Sequence, residues 1–444
     1  MKSLLSRLFS RKKEGFYFIH IPKTAGTSFI TLLDACVKNK EIFPCQLWHE
    51  INEEIIQKKG KYKLLRGHFG GGSWKLLCKN TPYRLTILRH PTSLTISTFH
   101  FIKREKKTAV YDLVHDRNMN LHDFLQEPLT AHKINNRMVR HLSFDLHEDP
   151  EAQELFLSTE SVKVVSKWIK PTKKITQSKR FSRAIQALEE CSWFGLQEHF
   201  DRSMQLFAFT FKRPPIGKSP LLNAYKPQQK IDNPCQNLIN SHNEFDLKLY
   251  HWAETEFEKR YQQMCDFLGR NDPENRQSLD ELIDAHYQAH HKAKISYTSK
   301  IHYDFSQELL GSGWHRRELT QPENNHFRWT SNENSFLDFW LEHCDYNLQI
   351  RIINAVSDAH LQELDIKING SSIDYSYDLD VGVVRILSAN IPNRLINNSL
   401  LRIQLKHPKT CSHSEIFNSH DDRYLGIAVN WIKLEACQKN RQKN

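Results

Sequence analysis

The sequence lacks several patterns that would place it in a common class of protein. No C-x-x-C pair occurs, and the nine cysteines, an odd number scattered from Cys36 to Cys437, argue against zinc ribbons and a dense disulfide framework. No apolar run of about 18 residues occurs, so the sequence predicts no membrane-spanning helix. No internal repeat or low-complexity tract stands out. These absences predict a globular protein with reduced thiols, which we expect in the cytoplasm.

Acidic residues are also fewer than basic residues. The 444 residues carry a formal net charge of +11, which favours an anionic partner without choosing among nucleic acid, acidic glycan, phosphorylated cofactor and membrane surface. Basic residues concentrate in segment 1–13, where Leu4, Leu5, Leu8 and Phe9 share one helical face. The segment is too short and too interrupted by charge for a signal peptide. It is interpreted either as a frayed terminus or as a weak contact with the inner face of an anionic membrane.

The first part of the chain alternates between strand and helix patterns. Residues 15–21, 62–66 and 84–88 are short apolar runs typical of buried parallel strands, and residues 27–37 have a helical pattern. Pro91 suits the first turn of the next helix. This order predicts a parallel α/β sheet with helices on both faces. From about residue 120 to 268 the pattern is mostly helical, and it ends at Gly269.

The C-terminal part has the pattern of an antiparallel β-sandwich. Short apolar runs occur there at regular spacing, and Asn369-Gly370 predicts a tight turn; the runs are 348–353, 364–368, 383–387, 400–405 and 425–429. The sequence therefore predicts five segments: a basic N-terminal segment 1–13, an α/β domain 14–268, a helical linker 269–300, a β-sandwich 301–437 and a polar tail 438–444. In the linker, His286, His290 and His291 lack a His-Glu-x-x-His pattern, so a solvated helix is preferred to a metal site.

An anion-binding loop is predicted after the first strand. The segment His20–Ser28 places small residues directly before a helix, where backbone N–H groups and the helix dipole favour an anion. Lys23 adds a full charge, and hydroxyls or backbone groups come from the residues Thr24, Ala25, Gly26, Thr27 and Ser28. The nucleoside-triphosphate loop is excluded because its first glycine is absent and the lysine precedes Gly26. An ordinary strand–turn–helix with a capping hydroxyl is the alternative.

A second candidate motif follows the third strand. Arg89 closes this strand, and Ser97 lies about two turns into the following helix. A guanidinium at a strand end and a hydroxyl on the adjoining helix can hold one phosphate together. Either motif alone is weak, but both occur in this order about 65 residues apart, as Lys23 and Arg89 do.

With both motifs, the chain resembles the sulfotransferases that use 3′-phosphoadenosine 5′-phosphosulfate (PAPS). His20–Ser28 is similar to their 5′-phosphosulfate loop, and the Arg89 and Ser97 pair to their 3′-phosphate motif. The amino-acid sequence of the loop resembles that of the carbohydrate sulfotransferases related to heparan sulfate 2-O-sulfotransferase. Later segments resemble bacterial members of that group: 135–140, 194–201 and 246–250. The resemblance spans residues 14–268 and implies a P-loop-like fold, PAPS as co-substrate, 3′-phosphoadenosine 5′-phosphate (PAP) as product and no metal. His90 departs from it, because the family usually has Asp or Asn there.

His68 is the candidate general base. Lys23, His68 and Arg89 each follow a predicted parallel strand, so all three should meet at the carboxyl edge of the sheet. A neutral imidazole suits proton abstraction near pH 7, while Lys23 would neutralise the leaving phosphate. The resemblance also implies a catalytic histidine after a glycine at this point. A histidine that only orders the glycine-rich turn is the alternative, and His20 is interpreted as a packed residue.

The sequence thus predicts a sulfotransferase that acts on a carbohydrate hydroxyl, with no nucleic-acid partner. The basic run 103–107 is either a solvated face or a contact for an acidic polysaccharide. The C-terminal part resembles sandwich modules appended to bacterial polysaccharide-modifying enzymes; its tryptophans suit either sugar stacking or a core. Two alternative functions remain open at this point: a nucleotide kinase, and a non-catalytic glycan-binding protein with a degenerate transferase domain.

Overall fold

The computed structural model describes most of the chain, in the ranges 13–145, 175–216, 231–272, 274–292, 300–379, 384–417, 421 and 423–437. The basic segment 1–12 and the tail 438–444 lie outside them. The chain forms two compact units, the first made of Met1–Ile30, Glu41–Leu206 and Pro220–Phe267, and the second of Thr31–Lys40, Phe207–Ser219 and Leu268–Asn444. Within the described ranges, every helix is too short or too polar to cross a bilayer.

Four strands and twelve helices begin in the described part of the first unit. The strands are β1 (Phe16–Ile19), β2 (Leu64–Gly67), β3 (Tyr83–Leu88) and β4 (Trp193–Leu196). The helices are α1 (Gly26–Ala35), α2 (Glu53–Gln57), α3 (Trp74–Leu77), α4 (Pro91–Arg104), α5 (Tyr111–Asp116), α6 (Leu121–Gln126), α7 (Pro128–Ile134), α8 (Arg137–Ser143), α9 (Gln177–Glu190), α10 (Phe200–Phe211), α11 (Asn233–His242) and α12 (Glu244–Phe267).

The predicted parallel sheet is confirmed. Its strand order is β2-β1-β3-β4, and every pairing in it is parallel. The strands are apolar at nearly every position and almost fully buried, as expected of a sheet covered on both faces. Parallel pairing brings the carboxyl ends of all four strands to one edge.

The sequence reading missed the fourth strand. Residues Trp193–Leu196 had been assigned to a mostly helical region, yet they pair in parallel with Leu85–Leu88 of β3. Four apolar residues between helices carry no periodicity that separates a buried strand from a helical turn. Only the pairing with β3 decides the assignment.

The second unit is largely antiparallel. Its strands are β5 (Lys300–Tyr303), β6 (Gly311–Ser312), β7 (Glu318–Leu319), β8 (His326–Trp329), β9 (Asn334–Trp340), β10 (Tyr346–Ala355), β11 (Asp365–Ile368), β12 (Ser371–Ser372), β13 (Ser376–Leu379), β14 (Arg385–Ile391), β15 (Leu400–Lys406), β16 (Cys411–Ser412), β17 (Tyr424–Leu425) and β18 (Ile427–Ala436). Its helices, apart from the ends of α1 and α10, are α13 (Leu279–His291), α14 (Ala359–Gln362) and α15 (His413–Phe417).

Two antiparallel sheets of seven and five strands enclose one apolar core in this unit. Alternate residues of β10, such as Ile350 and Ile352, face alternate residues of β15, such as Ile403 and Leu405. The predicted turn is present, since Asn369 and Gly370 both have positive φ and join β11 to β12. The sequence-based prediction of an antiparallel region after the parallel sheet is therefore confirmed.

The expectation of a solvated linker helix is wrong for α13. This helix buries Leu282, Ile283 and Tyr287, and its His291 ring stacks on Trp340 with the centroids 5.0 Å apart. A helix that buries one face belongs to a core rather than to a linker.

Ion pairs attach α13 to the sandwich. Arg402 of β15 donates two hydrogen bonds to Asp284 of α13 and two to Asp338 of β9, all 2.8 Å long. Burial is the main cause that raises the pKa of Asp338, to about 6. The guanidinium therefore compensates two carboxylates that would otherwise be costly to bury.

Replacing Arg402 with Met should destabilise the protein by about 3–5 kcal/mol, because two partly or fully buried carboxylates lose their shared cation. The measurement is thermal and urea unfolding of the full chain, followed by tryptophan fluorescence. Lys367→Met is the matched control, since the Lys367 ammonium lies 3.6 Å from Asp365 in a more exposed pair; it should cost about 1 kcal/mol or less. Equal losses in both variants would contradict the account of Arg402.

Candidate functional site

The three sequence-predicted loops meet at the carboxyl edge of the parallel sheet. His68 follows β2 directly, and its Nδ1 lies 2.8 Å from the carbonyl oxygen of His20, which follows β1. Arg89 follows β3, and its Nη1 donates to the carbonyl oxygen of Lys23 over 3.0 Å. The ends of β1, β2 and β3 are therefore joined by hydrogen bonds, so the loops that carry Lys23, His68 and Arg89 meet at this edge.

The loop after β1 has the geometry of a tight anion-binding turn. Lys23 and Ala25 have positive φ values of 72° and 63°, which non-glycine residues rarely adopt. Thr24 is fully buried and donates its hydroxyl to the carbonyl oxygen of Ile21 over 2.8 Å. This bond holds the strained turn directly before α1, whose first-turn N–H groups lack partners within the helix.

The residues of the loop differ in exposure and in the rings that they contact. Thr27 is exposed and Ser28 buried, both in the first turn of α1. A Cβ at Gly26 would lie 1.9 Å from His20 Nε2, so only glycine lets the loop approach this ring. The Lys23 ammonium lies 4.4 Å from the centre of the Phe101 ring, and burial is the main cause that lowers its pKa.

Arg89, which the sequence predicts to hold a phosphate together with Ser97, has unused hydrogen-bonding capacity. Arg89 Nε is buried and has no hydrogen-bond partner within the described part of the chain. Burial lowers the pKa of Arg89, and the neighbouring Glu198 partly offsets this effect. Ser97 lies buried in the second turn of α4, the helix that follows Arg89. A buried guanidinium N–H without a partner is costly, so this position suits an incoming anion.

His90 caps helix α4, a role for which Asp and Asn are the commoner residues. Its Nδ1 accepts a hydrogen bond from the Thr92 backbone N–H over 3.3 Å, which caps α4. The backbone N–H of His90 donates to Glu198, which also accepts from the Tyr250 hydroxyl. The departure at His90 therefore keeps the start of α4 and leaves Arg89 in place.

The His68 ring has the arrangement of a neutral base. A backbone carbonyl can only accept, so Nδ1 of His68 donates to it and Nε2 carries the lone pair. The ring stacks on His20 with the centroids 4.2 Å apart. Burial, with a smaller contribution from Arg137, lowers the pKa of His68. Burial lowers the pKa of His20 further, and its buried Nδ1 lacks a partner among the described residues.

Sequence reasoning missed the contribution of helix α8. His141 is buried beside the site, and its Nδ1 bonds the carbonyl oxygen of Arg137 over 2.8 Å. The glycine-rich loop after His68 attaches to this helix, because Gly71 N–H donates to His141 and Gly72 N–H donates to Phe144. In the sequence, segment 135–140 carries only a family resemblance. No periodicity or spacing relates it to His68; the tertiary contact does.

Helix α8 is fixed by two reciprocal clamps with α12. The Asp246 carboxylate accepts hydrogen bonds from the backbone N–H groups of Met138 and Val139, 2.9 and 2.8 Å long. In return, the Asn136 amide oxygen accepts from the N–H groups of Phe245 and Asp246. Asp246 is fully buried, and desolvation is the main cause that raises its pKa to about 6.

Replacing Asp246 with Asn should cost about 1–3 kcal/mol, because the amide keeps one acceptor and leaves a buried N–H of α8 without a partner. Unfolding of the full chain measures the loss, and hydrogen exchange should rise at residues 137–143. The control is Asp201→Asn on the exposed face of α10, which should change little. Unchanged exchange across α8 would refute the clamp.

The sandwich unit places its candidate sugar-stacking tryptophans in the interior. Trp314, Trp329 and Trp340 are each exposed by less than a tenth of their surface, whereas Tyr424 is 55% exposed. These tryptophans therefore serve the core. Among the described residues no group of three or more His, Cys, Asp or Glu side chains is arranged to hold a metal ion, and no two of the nine cysteines, all within the described ranges, are bridged.

Comparisons with known proteins found a distant relative. No family model matches the sequence. The chain is 23% identical over 337 residues to heparan-sulfate 6-O-sulfotransferase 2 of Gallus gallus, which covers 64% of this chain and 77% of that protein. This distant similarity supports a relationship with the carbohydrate sulfotransferases.

Solved structures align with about a third of the chain. The C-terminal CBM6 of LamC from Zobellia galactanivorans has a TM-score of 0.20 and 10% identity, over 31% of this chain and 98% of that one. A family 6 carbohydrate-binding module from Clostridium cellulolyticum in complex with xylose has a TM-score of 0.20 and 13% identity, over 31% and 97%. At these scores the similarity has no bearing on what this chain binds.

Proposed function

We propose that this protein transfers a sulfuryl group from PAPS to a hydroxyl of a carbohydrate. The observation that carries the proposal is the convergence of Lys23, His68 and Arg89 at one edge of a parallel sheet. The similarity to a sugar sulfotransferase supports the same reaction class. A cytoplasmic location remains part of the proposal.

The binding groups suit a donor with two separated anionic ends. The loop Lys23–Ser28 would hold the 5′-phosphosulfate, with the Lys23 ammonium and the first-turn N–H groups of α1. Arg89 and Ser97 would hold the 3′-phosphate, and the buried Nε of Arg89 without a partner supports this role.

The transfer step divides between two residues. The acceptor hydroxyl oxygen forms a bond to sulfur while the bond from sulfur to the phosphate oxygen breaks, and that electron pair leaves with the phosphate. His68 Nε2 takes the hydroxyl proton. Lys23 stabilises the charge that develops on the phosphate. His68 is suited to its task because its lowered pKa keeps the ring neutral at pH 7.

Binding of PAP tests the donor assignment and separates it from a nucleotide kinase. PAP should bind with a micromolar Kd, about −8 kcal/mol, and raise the melting temperature by mass action. Arg89→Ala should weaken PAP selectively relative to adenosine 5′-phosphosulfate, which lacks the 3′-phosphate. Calorimetry measures both affinities. Equal stabilisation by ATP and PAP would refute the 3′-phosphate assignment and favour a kinase.

Turnover of the His68→Ala variant tests the base. The rate of sulfate transfer to a polysaccharide panel should fall roughly 10²–10⁴-fold, while PAP affinity stays nearly unchanged. Wild-type rate should rise with pH along a limb below the ordinary imidazole value of about 6.5, because burial lowers the pKa of His68. The limb should vanish in His68→Ala.

Lys23→Ala is the companion variant, and it should reduce both turnover and PAP affinity. Near-normal turnover in His68→Ala would show that another residue is the general base. Loss of PAP binding as steep as the loss of turnover would make His68 a donor-binding residue instead. Absence of sulfated sugar with every acceptor, together with intact PAP binding, would favour a non-catalytic glycan-binding protein with a degenerate transferase domain.

A further inference from the structure

Arg137 is a cation of the site that the two sequence motifs do not include. It is the first residue of α8, and its Nη1 donates to Thr98 Oγ1 over 2.9 Å. Thr98 follows Ser97 on α4, so this bond ties Arg137 to the helix that carries the phosphate motif. The clamp between Asp246 and the backbone of α8 and the bond from Gly71 to His141 hold the helix from two further sides.

Within the described residues, no carboxylate accepts a hydrogen bond from the guanidinium of Arg137. Its hydrogen bond to Thr98 is the one that the described part of the chain supplies to this side chain. The charge of Asp246 partly offsets the burial of Arg137, but both carboxylate oxygens accept hydrogen bonds from backbone N–H groups of α8 instead of from the guanidinium. Burial lowers the pKa of Arg137 to about 10, so the side chain stays charged at neutral pH. A desolvated cation that no carboxylate contacts directly is costly, and this position favours the arrival of an anion.

Arg137 acts on both sides of the proposed reaction. Its charge lowers the pKa of Lys23, which belongs to the phosphosulfate loop, and the pKa of His68, the proposed base. In an in-line transfer the sulfur lies between the leaving phosphate and the attacking hydroxyl. The bond from Arg137 to Thr98, beside Ser97, and the bond from Gly71 to His141 place the start of α8 between α4 and the loop after His68, where the sulfuryl group would lie.

We propose that Arg137 is a further catalytic residue, whose guanidinium binds the oxygens of the sulfuryl group during transfer. This inference rests on the proposed function. The planar fork of arginine matches two oxygens of a sulfonate, as it does for phosphate. It holds the sulfuryl group in line between Lys23 and His68, so it stabilises the transition state more than it stabilises bound PAP, which carries no sulfuryl group.

The same position has a consequence for the pH dependence of the base. The titratable and charged groups around His68 are cationic or neutral: His20 at the end of β1, Arg66 on β2, and Arg137 and His141 on α8. Among these groups, Arg137 is the one whose charge lowers the pKa of His68. Its removal should therefore move the limb of the pH–rate profile towards higher pH.

The test compares Arg137→Gln with Arg137→Lys in the full chain. In Arg137→Gln, kcat should fall roughly 10²–10³-fold, the loss expected for one transition-state donor. The Kd for PAP should change less than about threefold, and the ascending limb of the pH–rate profile should move to higher pH. Arg137→Lys keeps the charge but loses the fork, so it should retain the wild-type pH limb with part of the kcat loss. Arg140→Gln is the control. Arg140 is a cation on the same helix, but its guanidinium bonds to His132, so this variant should preserve kcat.

Three results would overturn the inference. A PAP affinity that falls as steeply as kcat would make Arg137 a phosphate ligand. A raised KM for the acceptor with unchanged kcat would assign it to the acceptor. An equal loss of kcat in Arg140→Gln would show that Arg137 acts only through its positive charge. Failure of the proposed function differs from all three, because the wild-type protein itself would then bind no PAP or sulfate no sugar. Melting temperatures of each variant identify losses caused by unfolding.

Discussion

The parallel pairing of β1 with both β2 and β3 is the constraint on which the candidate site depends. Ile19 lies opposite Gly67 on one side and Thr86 on the other. The next residues along the first two strands, His20 and His68, therefore leave the sheet side by side, and their rings stack. An antiparallel arrangement would place one of these loops at the opposite edge. The chemistry of the site follows from hydrogen-bond register.

This edge collects positive charge that the fold only partly compensates. Lys23, Arg89 and Arg137 all have pKa values lowered chiefly by burial. The main nearby acids, Glu198 and Asp246, accept hydrogen bonds from backbone N–H groups. Such an arrangement costs stability in the absence of an anion, and it is typical of sites where binding recovers that cost. The strained φ values at Lys23 and Ala25 belong to the same trade-off.

The second unit achieves its stability differently. Its two sheets enclose an aliphatic core, and Arg402 between Asp284 and Asp338 joins helix α13 to β9 and β15. In this cluster both carboxylates have a shared counter-ion and good hydrogen-bond geometry, whereas Arg89 and Arg137 of the first unit receive no carboxylate hydrogen bond among the described residues. Paired charges suit architecture, whereas unpaired charges suit binding.

The sequence by itself determined the strand–helix alternation, the antiparallel region, the turn at Asn369 and the positions of Lys23, His68 and Arg89 at strand ends, because these depend on local periodicity and on turn chemistry. It could not determine that Trp193–Leu196 is a strand or that α13 buries a face, because both depend on partners distant in sequence. The place of helix α8 was likewise decided by tertiary structure, through the bond from Arg137 to Thr98 and the bond from Met138 to Asp246, which span 39 and 108 residues. Local pattern specifies which elements form, and only their packing specifies which charges share one desolvated site.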